Sequence, residues 1–95
     1  MDFEWDEIKA QSNALKHGVS FSEAATIFGD AQAVTFDDPR HSIVELRYLS
    51  IGISELGRVL IVSHTARVPA LRIISARLAS RAERKGYEDG HYPRS

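Results

Sequence analysis

Val59-Leu60-Ile61-Val62-Ser63-His64 and Leu71-Arg72-Ile73-Ile74-Ser75-Ala76 are two runs rich in β-branched residues, separated by a short segment that carries Pro69. Each has the length and composition of a strand, and neither has the spacing of a helix face. The connection is too short for a parallel crossover, so the two strands must pair antiparallel. Upstream, Glu55-Leu56-Gly57-Arg58 reads as a hairpin turn, and Ile43 to Ile53 as one long strand leading into it. Within that strand Val44, Leu46 and Tyr48 share one parity while Leu49, Ile51 and Ile53 share the other. A change of parity inside one strand calls for a bulge, a strong twist or burial on both faces. Asp37-Asp38-Pro39-Arg40 is a turn, and Ala33-Val34-Thr35-Phe36 before it is a short strand.

Helices flank this block. Asp6 caps a helix running to about His17, with Trp5, Ile8, Ser12 and Leu15 along one stripe, and Gly18 stops it. Lys9, Asn13, Lys16 and His17 also fall at helical intervals and read as a solvated face. Ser20-Phe21-Ser22-Glu23 is a capping box, and Phe21, Ala24, Ala25 and Phe28 follow at i, i+3, i+4, i+7 up to Gly29. Ser80-Arg81-Ala82-Glu83 is a second capping box, opening a last helix to about Asp89. The element order α-α-β-β-β-β-α predicts an α+β fold: a small antiparallel sheet of about four strands, two N-terminal helices and one C-terminal helix. The helices are expected on one sheet face, with the other face or its rim left for a ligand. One domain over residues 1–90 accounts for the chain, and residues 91–95 read as a frayed tail.

With 95 residues, 43% hydrophobic and 26% charged, the chain suits one globular core. It has no cysteine, which excludes disulfides, thiolate metal sites and cysteine nucleophiles. The longest aliphatic run, Val59 to Val62, is far short of a membrane span, and the acidic start Met1-Asp2-Phe3-Glu4 is unlike a signal peptide. A cytoplasmic protein with no membrane contact is the expectation.

Charge is segregated. Residues 1–56 hold four Lys and Arg against ten carboxylates, a net −6, whereas residues 57–95 hold eight against three, a net +5. Seven of the eight are arginine, whose planar fork pairs with two phosphate oxygens at once. The C-terminal half thus has the character of a polyanion-facing surface, the alternative being a solvated face with Arg84 and Glu88 as a helical pair. The densest polar group is His64, Arg67, Arg72, Arg77, Arg81, Arg84, Lys85 and Tyr87. Histidine can take and give a proton near neutral pH, and arginines gather a phosphodiester and stabilise its transition state. Those parts suffice for metal-free RNA cleavage, in which the 2′-hydroxyl attacks its own phosphate. In an antiparallel hairpin His64 and Arg77 meet only if the pairing is offset. His17 and His41 have no partner at zinc-like spacing, and there is no H-E-x-x-H, phosphate-loop or dinucleotide motif, so no metal or cofactor is expected.

Phe3-Glu4-Trp5-Asp6, Lys9, Asn13, Lys16-His17-Gly18-Val19-Ser20-Phe21 and Glu23-Ala24 resemble the N-terminal signature of BrnT-type toxins. Arg47-Tyr48, Ile51-Gly52, His64-Thr65, Arg67, Arg72-Ile73-Ile74-Ser75-Ala76-Arg77, Glu83-Arg84 and Tyr87-Glu88 look like the rest of it. The resemblance reaches to about Gly90. It implies a RelE-like fold and an RNA-cleaving toxin of a bacterial type II toxin–antitoxin pair, active without metal and leaving a 2′,3′-cyclic phosphate. As a partner it implies a BrnA-type ribbon-helix-helix antitoxin, a dimer bridging two toxins, with operator DNA reached only through it. Carried over by motif, His64, Arg67 and Arg77 are the catalytic candidates, with Tyr87 and Arg81 behind them. Arg47, Arg72, Arg81, Arg84 and Lys85 are the candidates for RNA contacts. A non-catalytic RNA- or antitoxin-binding module of the same fold is the alternative.

Overall fold

A computed structural model of the chain describes residues 1–92. A five-stranded sheet has the spatial order β1-β5-β4-β3-β2, with β1 over Asp2–Glu4 and β2 over Val34–Asp37. The long members are β3 over Tyr48–Ile53, β4 over Val59–Arg67 and β5 over Ala70–Leu78. The central hairpin of β4 and β5 is antiparallel, as its short connection requires. Two features correct the expected four-stranded antiparallel sheet. The first three residues after Met1 form an edge strand, and β1 runs parallel to β5. Residues 5–69 lie between those partners, so sequence proximity gave no hint of the pairing.

The expected strand from Ile43 is also shorter. Pairing begins only at Tyr48, and residues 42–47 form a loop in which Ile43, Val44 and Leu46 are exposed. The parity change is thereby explained: its first half is not strand. A 3-10 turn over Pro39–His41 precedes that loop. Asp38 N–H donates to the Arg47 carbonyl at 2.9 Å and so closes its base. Ser42 adds a clasp, its hydroxyl donating to the Asp38 carbonyl at 2.6 Å and accepting from Arg47 N–H at 3.0 Å.

Helix α1 spans Glu7–His17, α2 spans Phe21–Thr26 and α3 spans Arg81–Glu88. Asp6 caps α1, and Gly18 ends it in the left-handed conformation at φ 67°. Ser80 and Glu83 form the reciprocal capping box expected for α3. At Ser20 only half of that motif is present. Ser20 accepts from Glu23 N–H, but the Glu23 carboxylate turns inward to Arg58 and Ser54. The stripe expected on α1 is reversed: Ile8 and Leu15 are exposed, and Asn13 is the buried residue. The amide of Asn13 donates to the carbonyls of Val19 and Ala76 at 3.0 and 2.8 Å and accepts from Ala76 N–H at 3.1 Å. Buried polar atoms need such partners, and here they splice α1 to β5.

Residues opposed in register project from the same side of a sheet, and sides alternate along each strand. On one side Leu60, Val62, Ile73 and Ala76 meet Val19, Phe21, Ala24 and Ile27, the core formed with α1 and α2. On the other, Val34, Ile51 and Val59 meet Phe36, Ile61, Tyr87 and Tyr92. Helix α3 therefore covers part of the second face, and the expectation of all helices on one face is corrected. Tyr92 packs on Phe36 with ring centroids 5.3 Å apart, and its hydroxyl donates to the Glu83 carbonyl at 3.2 Å. Residues 93–95, the rest of that expected tail, lie outside the described residues.

Candidate functional site

A β-bulge in β5 decides where the candidate residues point. Ser63 pairs with Ser75 while His64 pairs with Ile73, leaving Ile74 as the extra residue. Without it, Arg72 and Arg77, an odd number of positions apart, would face opposite ways. With it, Arg72, Ser75 and Arg77 share the second face, each opposite an odd-numbered residue of β4: Thr65, Ser63 and Ile61. Arg67 at the end of β4 has the same parity. That face thus presents a run of guanidinium groups.

His64 has the other parity. It sits on the first face, 6% exposed, with the Phe28 ring edge-on at 5.0 Å and Tyr48 stacked at 5.8 Å between centroids. Its Nε2 is 2.7 Å from Ser50 Oγ, which is in turn 2.7 Å from Thr35 Oγ1. Burial pushes its pKa down to about 4, so the ring is neutral at pH 7. It lines a largely apolar cavity of about 380 Å³ together with Met1, Thr35, Tyr48 and Leu71. His64 therefore does not converge with Arg67 and Arg77. All three lie in one hairpin, but the alternation of the strands directs the imidazole to one face and both forks to the other.

The cations are themselves paired. Arg67 donates to Glu45 at 2.7 Å. Arg47 Nε lies 3.7 Å from the same carboxylate; it is buried and makes no hydrogen bond to the described residues. Arg72 donates to Glu4 at 2.6 Å. The bond from Arg67, aided by the fields of Arg47 and Arg72, holds the Glu45 carboxyl below its usual range. Arg77 grips Glu83 with both ends of its fork, at 2.7 and 3.0 Å, which pushes Glu83 down to about 2. Tyr87 donates to Asp30, whose carboxylate also accepts from Ile53 N–H of β3, and α3 is thereby tied to the sheet. On α3, Arg81, Arg84 and Lys85 are exposed, and Lys85 pairs with Asp89 at 3.0 Å.

Two features of the 38–47 loop were not singled out in the sequence. Glu45 is the carboxylate on which the arginines converge. His41 Nδ1 lies 2.9 Å from Asp38 Oδ2. The three-residue spacing across Pro39 was the available signal for that pair, since a helical turn brings i and i+3 together. Among the described residues no group of three or more His, Asp or Glu is arranged to hold a metal ion, and no helix is long and apolar enough to cross a membrane.

A family model described as "Ribonuclease toxin, BrnT, of type II toxin-antitoxin system" matches residues 5–83. The fold is similar to a crystal structure of the Brucella abortus ribonuclease toxin, BrnT, with a TM-score of 0.67 and 28% sequence identity over 85% of this chain and 99% of that one. A comparison with curated proteins found no match. From the signature residues in the sequence, the fold and the family match together, the chain belongs to the BrnT family of ribonuclease toxins of type II toxin–antitoxin systems.

Proposed function

We propose that this protein cleaves RNA without a metal ion, through attack of a 2′-hydroxyl on the adjacent phosphate, and that its antitoxin silences it by occupying the same arginine-lined face. The observation that carries this reading is the bulge at Ile74, which turns Arg72 and Arg77 to the face already bearing Arg67. Along β4 from Ile61, opposite Arg77, to Arg67 is about 20 Å at the usual ~3.3 Å per residue. A single RNA strand laid there exchanges protein carboxylates for phosphates. Glu45, Glu4 and Glu83 now occupy the forks of Arg67, Arg72 and Arg77. An incoming phosphodiester offers the same planar pair of oxygens to each. The positive charge that a metal ion would bring to the pentavalent transition state is supplied by guanidinium groups fixed in place before the substrate arrives.

In this reading Arg67, with Arg47, holds the scissile phosphate, and Arg72, Arg77 and Arg81 track the flanking backbone. Arg84 and Lys85 extend the positive field over α3. His64, neutral and enclosed, orients Ser50 and Tyr48 in the strands beneath. Tyr87 keeps α3 seated. The partner is a ribbon-helix-helix antitoxin dimer of the BrnA type that bridges two toxins and alone contacts operator DNA.

Incubating purified protein with RNA in EDTA tests this. The expected products carry 2′,3′-cyclic phosphate and 5′-hydroxyl ends, and Arg67→Ala lowers the rate by two or more orders of magnitude, on the scale of one lost transition-state donor. Cleavage that needs added Mg²⁺, or RNA bound and left intact, overturns the reading.

A further inference from the structure

Resting on that ribonuclease reading, the geometry points to His41, oriented by Asp38, as the proton acceptor of the reaction, working beside Glu45, Arg47 and Arg67 rather than at the buried His64. The pair has unequal exposure. The Asp38 side chain is 10% exposed and that of His41 64%. Asp38 is fixed from several sides: its N–H binds the Arg47 carbonyl, and its carbonyl accepts from Ser42 and from His41 N–H. Its carboxylate faces His41 Nδ1 at 2.9 Å. A carboxylate there selects the tautomer with the proton on Nδ1 and leaves Nε2 bare toward solvent, the arrangement by which a base is oriented in many acid–base sites.

The loop brings that ring to the phosphate-binding end of the molecule. His41 lines a cavity of about 480 Å³ with Arg40, Ile43, Val44, Glu45 and Arg47. Glu45, in the same wall, accepts from Arg67. Arg47 keeps its Nε without a hydrogen bond to the described residues, so its fork is not fully committed to the protein. A base, a carboxylate and the Arg47 fork therefore border one space that is open to a substrate, and the Arg67 fork is joined to it through Glu45. Asp38 contacts the imidazole directly, and Arg40, Glu45 and Arg47 are the other charged residues lining its cavity.

The step balances without a co-reactant. His41 Nε2 removes the proton from a 2′-hydroxyl as the 2′-oxygen bonds to phosphorus. The bond from phosphorus to the 5′-oxygen breaks, and that oxygen takes a proton from water. The hydroxide left behind receives the proton held by the imidazolium, so histidine and water are regenerated. Arg67 and Arg47 hold the non-bridging oxygens meanwhile. Asp38 is a positioning residue, acting only through the ring.

Three proteins decide the matter: wild type, His41→Ala and Asp38→Asn, assayed on one RNA in EDTA, with affinity measured on the 2′-O-methyl form of that RNA. His41→Ala is expected to cut about 10²- to 10⁴-fold more slowly, the usual contribution of a general base. Its affinity for the uncleavable RNA should be unchanged, and added imidazole should restore part of the rate. Asp38→Asn should slow cleavage less than His41→Ala does and leave affinity for the uncleavable RNA unchanged, because the ring loses only the carboxylate that orients it. A His41→Ala rate within threefold of an active wild type overturns the assignment of His41 alone. A loss that imidazole does not restore, accompanied by weaker binding, makes His41 a binding group and overturns it as well. RNA left intact by the wild type overturns the ribonuclease reading itself.

Discussion

His64 shows how far one residue's chemistry depends on what surrounds it. In sequence it is a titratable group beside arginines; in the fold it is an enclosed ring between Phe28 and Tyr48, bonded to Ser50. Its pKa is lowered to about 4 from 6.5 because burial penalises the charged form. The sign of the consequence follows. The unfolded chain takes up the proton first, so the stabilisation is whole above pH 6.5 and is lost as pH falls toward 4. One proton across that window is worth about 3 kcal/mol at most. Denaturant titrations at about pH 7 and about pH 4.5 should therefore show wild type losing more stability than His64→Gln does. Equal losses would mean that the ring protonates freely in the folded protein. Nothing in the residues 59–64 alone reveals this. Both the pairing that assigns His64 to the face covered by α1 and α2 and the Phe28 ring that closes over it come from elsewhere in the chain.

Among the elements, α3 was the most legible and α1 the least. Ser80 and Glu83 lie close together in sequence, so their capping box forms as read. Gly86 inside α3 costs about 1 kcal/mol in helix propensity relative to alanine, which the sequence leaves unexplained. The tertiary structure explains it: a Cβ there would come within 3.1 Å of the Tyr92 ring. Gly86→Ala should accordingly be no more stable than wild type, whereas the same change made in Tyr92→Ala should stabilise by about 1 kcal/mol. Thermal melts of the four proteins check this, and a gain in the wild-type background would show that Tyr92 yields without cost. In α1 the apolar spacing of Ile8 and Leu15 was misleading, because Asn13 finds its three partners on β5 and in the turn after the helix. A hydrophobicity pattern cannot register a polar side chain whose hydrogen bonds are all satisfied inside.

Over the whole molecule, the segregation of charge in the sequence becomes a segregation in space that is narrower than the count suggested. Glu45 and Glu4 from the acidic half and Glu83 from the basic half sit in the forks of Arg67, Arg72 and Arg77. The face is thus an array of closed ion pairs. On the proposed reading RNA opens them, and release of counterions governs its affinity. Replacing Arg72 and Arg77 together by alanine should lower the slope of log affinity against log salt by about 1.4, at ~0.7 per phosphate contact with a single strand. Binding of the uncleavable RNA at several salt concentrations measures it, with Lys9→Ala on the opposite helix as the control that leaves the slope alone. An unchanged slope in the double variant would remove both arginines from the interface.

What the sequence by itself determined was local. It set the β4–β5 hairpin, the turn at Glu55–Arg58, the caps of the helices, the helices' order and the family signature, each written in contiguous residues or short motifs along the chain. The tertiary structure alone decided the parallel edge strand β1, the second face taken by α3, and the bulge at Ile74. It also decided the separation of His64 from Arg67 and Arg77, and the arginines' convergence on Glu45. The physical reason is the same in each case. A strand's period of two fixes which side a residue takes only relative to its neighbours. One extra residue in a ladder, or one partner from the far end of the chain, reverses that side without leaving a mark in the local sequence.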